Sequence, residues 1–221
     1  MMRGSHTAQA QFIEANLSVQ IKDRYERWPN FVEVFERRNL VAHGNLVVNR
    51  AYVENCRIAK LKGIDQVNIW TTLSLGTKYL HNAVDVLYEF GVLLFFVLWR
   101  KHIGDEVDSF EKINRICYEL ILAKKFKLAS CLLDFCLHKQ GRCCSDFVSR
   151  MMIVNLANCY KKMRDEDRCH KLIASVDWSA SKDEFQICIA SLRGNVEGVI
   201  SLMPNKAISP KDFLNGQPLI G

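Results

Sequence analysis

Apolar residues in this 221-residue chain return every three or four positions along almost its whole length. That spacing stacks them on one face of an α-helix and leaves little room for strands. Phe12, Ile13, Leu17 and Ile21 mark a first amphipathic helix. Phe31, Val34 and Phe35 mark a second, entered through Trp28-Pro29, where proline fits the first helical turn. Val53, Ile58 and Leu61 mark a third. The longest predicted helix runs from about Leu75 to His102, with Tyr79, Ala83, Leu87, Phe90, Leu94 and Leu98 as its core stripe and Ser74 or Thr72 as its cap. Only Gly63–Leu73, with Val67, Ile69 and Trp70, reads as extended. Four prolines and eleven glycines leave long stretches unbroken, so the expected class is all-α.

The pattern changes near Gly104–Ser109. Beyond it, Ile113, Cys117, Leu120, Ala129 and Leu133 recur as Ile153, Ala157, Tyr160, Cys169 and Ile173, at an offset of forty throughout. Small residues at the second and fourth places let two antiparallel helices approach closely. A weaker third unit pairs Ile187 and Ala190 with Val199. The spacing resembles that of tetratricopeptide repeats, best in NLANCYKKM (155–163) with a lengthened period, although any array of α-hairpins, or a plain helical extension of the first domain, shares it. The expected organisation is a tag-like leader at 1–6 (MMRGSH), a helical domain at 7–104, a helical repeat region at 109–204 and a tail at 205–221.

A formal net charge of +6 suits a polyanionic partner without requiring one. The nine cysteines contain no C-x-x-C pair and several fall on apolar helical positions. They read as reduced core thiols of a cytoplasmic protein, with no disulfide framework, metal site or cofactor expected. The most apolar run, Phe90–Trp99, is ten residues and is flanked by Glu89 and Arg100, so it reads as a buried helix, not a membrane span.

One segment holds residue types that could carry chemistry. Residues 33–53 read EVFERRNLVAHGNLVVNRAYV. RNA cleavage needs a proton taken from a 2′-hydroxyl, a proton given to a 5′-oxygen, and support for an anionic phosphorane. Imidazole transfers protons near neutral pH. A guanidinium holds phosphoryl oxygens in a bidentate fork. His43 and Arg38 supply those groups, and Asn39, one turn before His43, can orient the imidazole or bind phosphate. Arg38 follows Phe31, Val34 and Phe35 at helical steps and is expected on the apolar side, whereas Arg37 is expected on the surface with Glu33 or Glu36. Gly44 is expected to end this helix.

Arg38-Asn39 followed by three residues and His43, between an amphipathic helix and a long apolar one, resembles the R-x(4–6)-H signature of HEPN domains. Asn49 and Tyr52, as N-x-x-Y, and the closing helix Tyr79–Lys101 are similar to one HEPN subgroup. The resemblance covers about residues 10 to 102, although only some thirty residues precede the motif where the family usually has two helices. It implies a metal-independent ribonuclease, common among toxins and phage-defence systems, built on a helical bundle. It further implies a homodimer with Arg38, Asn39 and His43 of two copies facing each other across a two-fold axis. The product would end in a 2′,3′-cyclic phosphate.

Arg50, Arg57, Lys60 and Lys62 follow the motif and could line an RNA-backbone groove, or simply form a solvated helix face. His81, His102, His138 and His170 read as surface or capping residues. An alternative function stays open: a non-catalytic dimeric adaptor that binds a protein partner through its helical repeats. In that case Arg38 and His43 would be interface residues; a purely structural role, with Arg38 in a buried pair with Glu26 or Asp85 and His43 capping or packing at a helix end, also stays open.

Overall fold

A computed structural model describes residue 15 and residues 22–139 and 145–202. The described residues are all-α: they form nine α-helices and no strand. Apart from residue 15, the predicted first amphipathic helix at 12–21 lies outside them, as does the tail at 205–221. The chain divides into two compact units, the first ending at Ile103 and the second starting at Gly104.

The first unit holds α1 (Trp28–Gly44), α2 (Arg50–Ile58) and α3 (Thr77–His102). Pro29 sits in the first turn of α1, where its missing N–H is unneeded. Asn45 ends the helix in the left-handed conformation, and its N–H returns to the Leu40 carbonyl. Asn49 caps α2, its side-chain oxygen accepting from the Tyr52 N–H at 2.9 Å. Between α2 and α3 the chain makes a short 3₁₀ turn at Ile64–Gln66 and then runs extended. It is pinned to the end of α1 by a single bridge, Val47 to Thr72, with Trp70 N–H on the Val48 carbonyl at 2.8 Å.

Aromatic rings join α1 to α3. Phe90 lies 4.0 Å from Phe31 and 6.0 Å from Trp28, ring centre to centre, and Tyr25 packs on it at 5.7 Å. These contacts fix which face of α3 turns inward: Ala83, Val86, Phe90, Leu93 and Val97 are buried. The stripe expected from sequence is therefore corrected, since Leu87 is 39% exposed and Tyr79, Leu94 and Leu98 are only half-buried. Helix α3 is apolar on two sides, and periodicity alone cannot choose between them. Its cap is corrected as well: Gly76 occupies that position, with no side-chain bond. Ile58, expected in the core, is 64% exposed. At 26 residues α3 is long and apolar enough to cross a membrane, which the ten-residue run understated. It is the one such helix among the described residues, and its buried Glu89 takes an ion pair from Arg27 at 2.7 Å.

The second unit is a row of three helical hairpins, α4 (Glu106–Leu122) with α5 (Phe126–Asp134), α6 (Asp146–Lys162) with α7 (Glu166–Ala174), and α8 (Asp183–Leu192) with α9 (Val196–Leu202). Both helices of the second hairpin begin and end forty residues after those of the first. The small residues of that repeat, Cys117 and Ala157, Ala129 and Cys169, are each fully buried. Each hairpin turns the same way. Lys124, Arg164 and Gly194 adopt left-handed backbone, and the next N–H reaches back five residues, to Leu120, Tyr160 and Ala190, at 2.8 to 2.9 Å. This is the Schellman end that closes a helix on its own carbonyls. Neighbouring hairpins also share a buried polar link, Asn155 donating to Asn114 at 3.0 Å.

Candidate functional site

The motif occupies the C-terminal half of α1. The packed side of that helix carries Trp28, Val32, Glu33, Glu36 and Leu40. Phe35 and Val34 are only half-buried, so the face that they share with Arg38 looks outward. Arg38 is exposed, correcting its expected apolar placement, and donates from a guanidinium nitrogen to the Asn39 side-chain oxygen at 3.2 Å. Asn39 is half-buried and His43 exposed in the last turn. Asn39 and His43 share a face one turn apart. Arg38 and His43, five residues apart, diverge by about 140° around the axis. Within one chain the structure thus joins Arg38 to Asn39 and aligns Asn39 with His43, without bringing Arg38 and His43 face to face.

The polar cluster on the inner side of α1 is a different set. Glu33 is buried and accepts from Arg37 at 2.6 Å, from the Tyr52 hydroxyl at 2.9 Å and from the Tyr79 hydroxyl at 3.1 Å. Arg37 also lies 4.0 Å over the Tyr79 ring and donates to the Ser74 carbonyl. Its partner is one of those expected, but the site is half-buried and not a surface pair. Burial works to lower the Arg37 pKa, and the Glu33 carboxylate with Tyr52 and Tyr79 outweighs it, so the net shift is upward. Burial and then the Glu33 charge raise both tyrosine hydroxyls above their ordinary range. The Cys56 thiol beside them is pushed up to about 12 by burial, then by Glu33 and Glu36. Both tyrosines stay protonated at neutral pH and act as donors holding Glu33, and the Cys56 thiol beside them stays protonated and is no nucleophile. Asn49 and Tyr52, the N-x-x-Y pair, therefore do structural work here, one capping α2 and the other anchoring it to α1.

Of the basic residues proposed to line a groove, Arg50, Lys60 and Lys62 are exposed. Arg57 is engaged, its guanidinium 3.0 Å from both Asp65 and Glu54. Hydrogen bonding to Asp65, ahead of that to Glu54, raises its pKa.

Sequence reading missed Trp70. It is 81% exposed, and its φ of 75° is a left-handed backbone that bulky residues rarely adopt. The strap to Val48 holds it there, just beyond the end of α1 and next to the start of α2 at Arg50. Among the described residues no group of histidines, cysteines and carboxylates is arranged to hold a metal ion. Seven described cysteines form no disulfide, and six of them are buried. Of the remaining histidines, His138 pairs with Asp134 at 3.2 Å and His170 with Glu166 at 3.9 Å.

No family model, curated protein or solved structure matches this chain.

Proposed function

We propose that the chain is a metal-independent endoribonuclease that binds and cleaves RNA with Arg38, Asn39 and His43. The hydrogen bond from Arg38 to Asn39 carries the reading. It occupies the amide oxygen, which leaves the amide nitrogen of Asn39 to donate outward. With His43 one turn on, three polar groups meet solvent, and among the described residues no carboxylate neutralises Arg38 or His43. In its neutral form His43 accepts the 2′-hydroxyl proton. The 2′-oxygen bonds to phosphorus as the P–O5′ bond breaks, and water returns a proton to the 5′-oxygen. Arg38 and the Asn39 amide donate to the phosphorane oxygens, where charge is greatest. Trp70 offers a ring face on which an unpaired base can stack, and Arg50 a charge for the neighbouring phosphate. The resemblance of the motif to HEPN ribonucleases supports the same chemistry and a role as a toxin or phage-defence effector. Buried thiols outside any disulfide fit a reducing, cytoplasmic setting.

The test is incubation of a mixed RNA pool with the purified chain in EDTA. Cleavage to 2′,3′-cyclic ends that is lost in Arg38→Ala and His43→Ala supports the reading, and no cleavage by folded protein overturns it. A second reading, a non-catalytic adaptor, is favoured by one observation: the three like-turned hairpins α4 to α9 form the kind of repeated helical surface that binds proteins. Under it, both variants keep partner binding and the wild type cuts nothing.

A further inference from the structure

The buried side of α1 carries two carboxylates one turn apart, Glu33 and Glu36, each 7% exposed. Their surroundings differ. Glu33 accepts from Arg37, Tyr52 and Tyr79. Glu36 accepts no hydrogen bond and forms no ion pair among the described residues, and neither of its oxygens is wholly sealed from solvent. A carboxylate buried this far is costly unless something supplies a donor. Among the described residues the chain supplies none. Arg37 is taken by Glu33, while Arg38 lies about 160° away around the helix and donates to Asn39. Cys56 of α2, whose thiol the Glu36 charge reaches, is fully buried and a weak donor. No group of described side chains is arranged to share a metal ion there.

The place of Glu36 on the helix points to the donor. His43 follows seven residues later, within about 20° of Glu36 around the axis, and Asn39 lies between them on the same side. Glu36 and His43 are two turns apart, about 10.5 Å along the axis. One nucleoside spans that interval with a hydrogen bond at each end, its base edge on the carboxylate and its 2′-hydroxyl on the imidazole. Like charge keeps a phosphate away from Glu36. An unpaired nucleotide then has only the N–H groups of its base to offer. On their Watson–Crick edges adenine and cytosine present one amino group each, and uracil one imino N–H. Guanine presents two donors side by side, N1–H and the 2-amino group, and two unoccupied carboxylate oxygens match them as a fork.

We propose that Glu36 is a guanine-recognition residue, selecting the nucleotide whose 2′-hydroxyl gives its proton to His43. The chain then cuts single-stranded RNA on the 3′ side of guanosine and leaves guanosine 2′,3′-cyclic phosphate at the new end. The place of the cut rests on the ribonuclease reading; the guanine site does not.

The experiment has two arms. Calorimetry measures the binding of guanosine, inosine and adenosine 3′-monophosphates, which lack the bond that is cut, to the full chain and to Glu36→Gln. Guanosine 3′-monophosphate is expected to bind about 10-fold or more tightly than the adenosine nucleotide, with inosine, which lacks the 2-amino group, between them. In Glu36→Gln the preference falls to about twofold or less, a change in base selectivity that a merely structural carboxylate would not produce. The second arm sequences the cyclic-phosphate ends released from a mixed RNA pool, where guanosine is expected at most ends. Equal binding of the three nucleotides, or a preference that survives Glu36→Gln, overturns the proposal. Cleavage with ends shared evenly among the four bases overturns it too and leaves the ribonuclease reading standing. Guanosine-selective binding without cleavage supports the guanine site and removes the ribonuclease reading alone. If Glu36→Gln fails to fold, the wild-type preference for guanosine over inosine decides.

Discussion

The Tyr52 hydroxyl donates to the buried Glu33 carboxylate at 2.9 Å, and in doing so ties α2 to α1 across nineteen positions of sequence. Removing it leaves the largely buried Glu33 with one donor fewer. Tyr52→Phe is expected to destabilise the chain by about 1–3 kcal/mol. Urea unfolding followed by circular dichroism checks this, and a loss below the experimental scatter would mean that Arg37 and Tyr79 alone satisfy the carboxylate.

The same network predicts a pH dependence. Burial, then the Glu33 charge, raises the Tyr52 and Tyr79 pKa values in the folded chain, and burial pushes Tyr160 up to about 12. A raised folded pKa contributes stability that is fully present below the unfolded value, about 10, and is lost as pH rises through the folded one. Spectrophotometric titration is expected to show Tyr52, Tyr79 and Tyr160 ionising only as the protein unfolds in base. Ionisation of these three near pH ~10 in folded protein would contradict it.

In the second unit, Ser145 caps α6 by accepting from the Val148 N–H at 3.3 Å. Asp105 caps α4 in the same way, forty positions earlier. Ser145→Ala is expected to cost about 1 kcal/mol, and Ser145→Asp to restore most of it. Thermal melting of the two variants decides, and equal melting temperatures would show that the cap is idle.

Arg57 is held by Asp65 and Glu54, which leaves it little to offer an RNA phosphate. Arg57→Ala is therefore expected to change RNA affinity less than about twofold, whereas Arg50→Ala, lacking such partners among the described residues, weakens it by about one phosphate contact's share of the salt slope. Filter binding at several salt concentrations measures both. An Arg57 effect larger than that of Arg50 would mean that its ion pairs open on binding.

Where the sequence was readable, local rules and tertiary packing agreed. The offset of forty between Cys117 and Ala157, and between Ala129 and Cys169, survives as helix bounds because each hairpin repeats both its close crossing and its turn. Lys124 and Arg164 hid those turns, since neither is the glycine that usually marks a left-handed helix end. The core side of α3 was not readable, because Leu87 and Phe90 offer equal hydrophobicity and only Phe31 and Trp28 choose between them. Val34 and Phe35 point Arg38 inward in the sequence, but Glu33 and Glu36 take the buried side, Glu33 held there by the Tyr52 hydroxyl of α2 and the Tyr79 hydroxyl of α3. The motif itself was readable as residue types, while the Arg38–Asn39 bond and the exposure of Trp70 depend on backbone that only the folded chain defines.

The central claim is most directly tested by the single-turnover rate of RNA cleavage in EDTA, compared between the wild type and His43→Ala. His43 lies outside the core, so the two should melt at the same temperature, which circular dichroism verifies. Loss of a proton-transfer group is expected to lower the rate by about 100-fold or more, with cyclic phosphate ends on whatever product remains. Equal rates in the two proteins, or cleavage that appears only when a divalent metal is added, would contradict the assignment of His43 and the chemistry built on it.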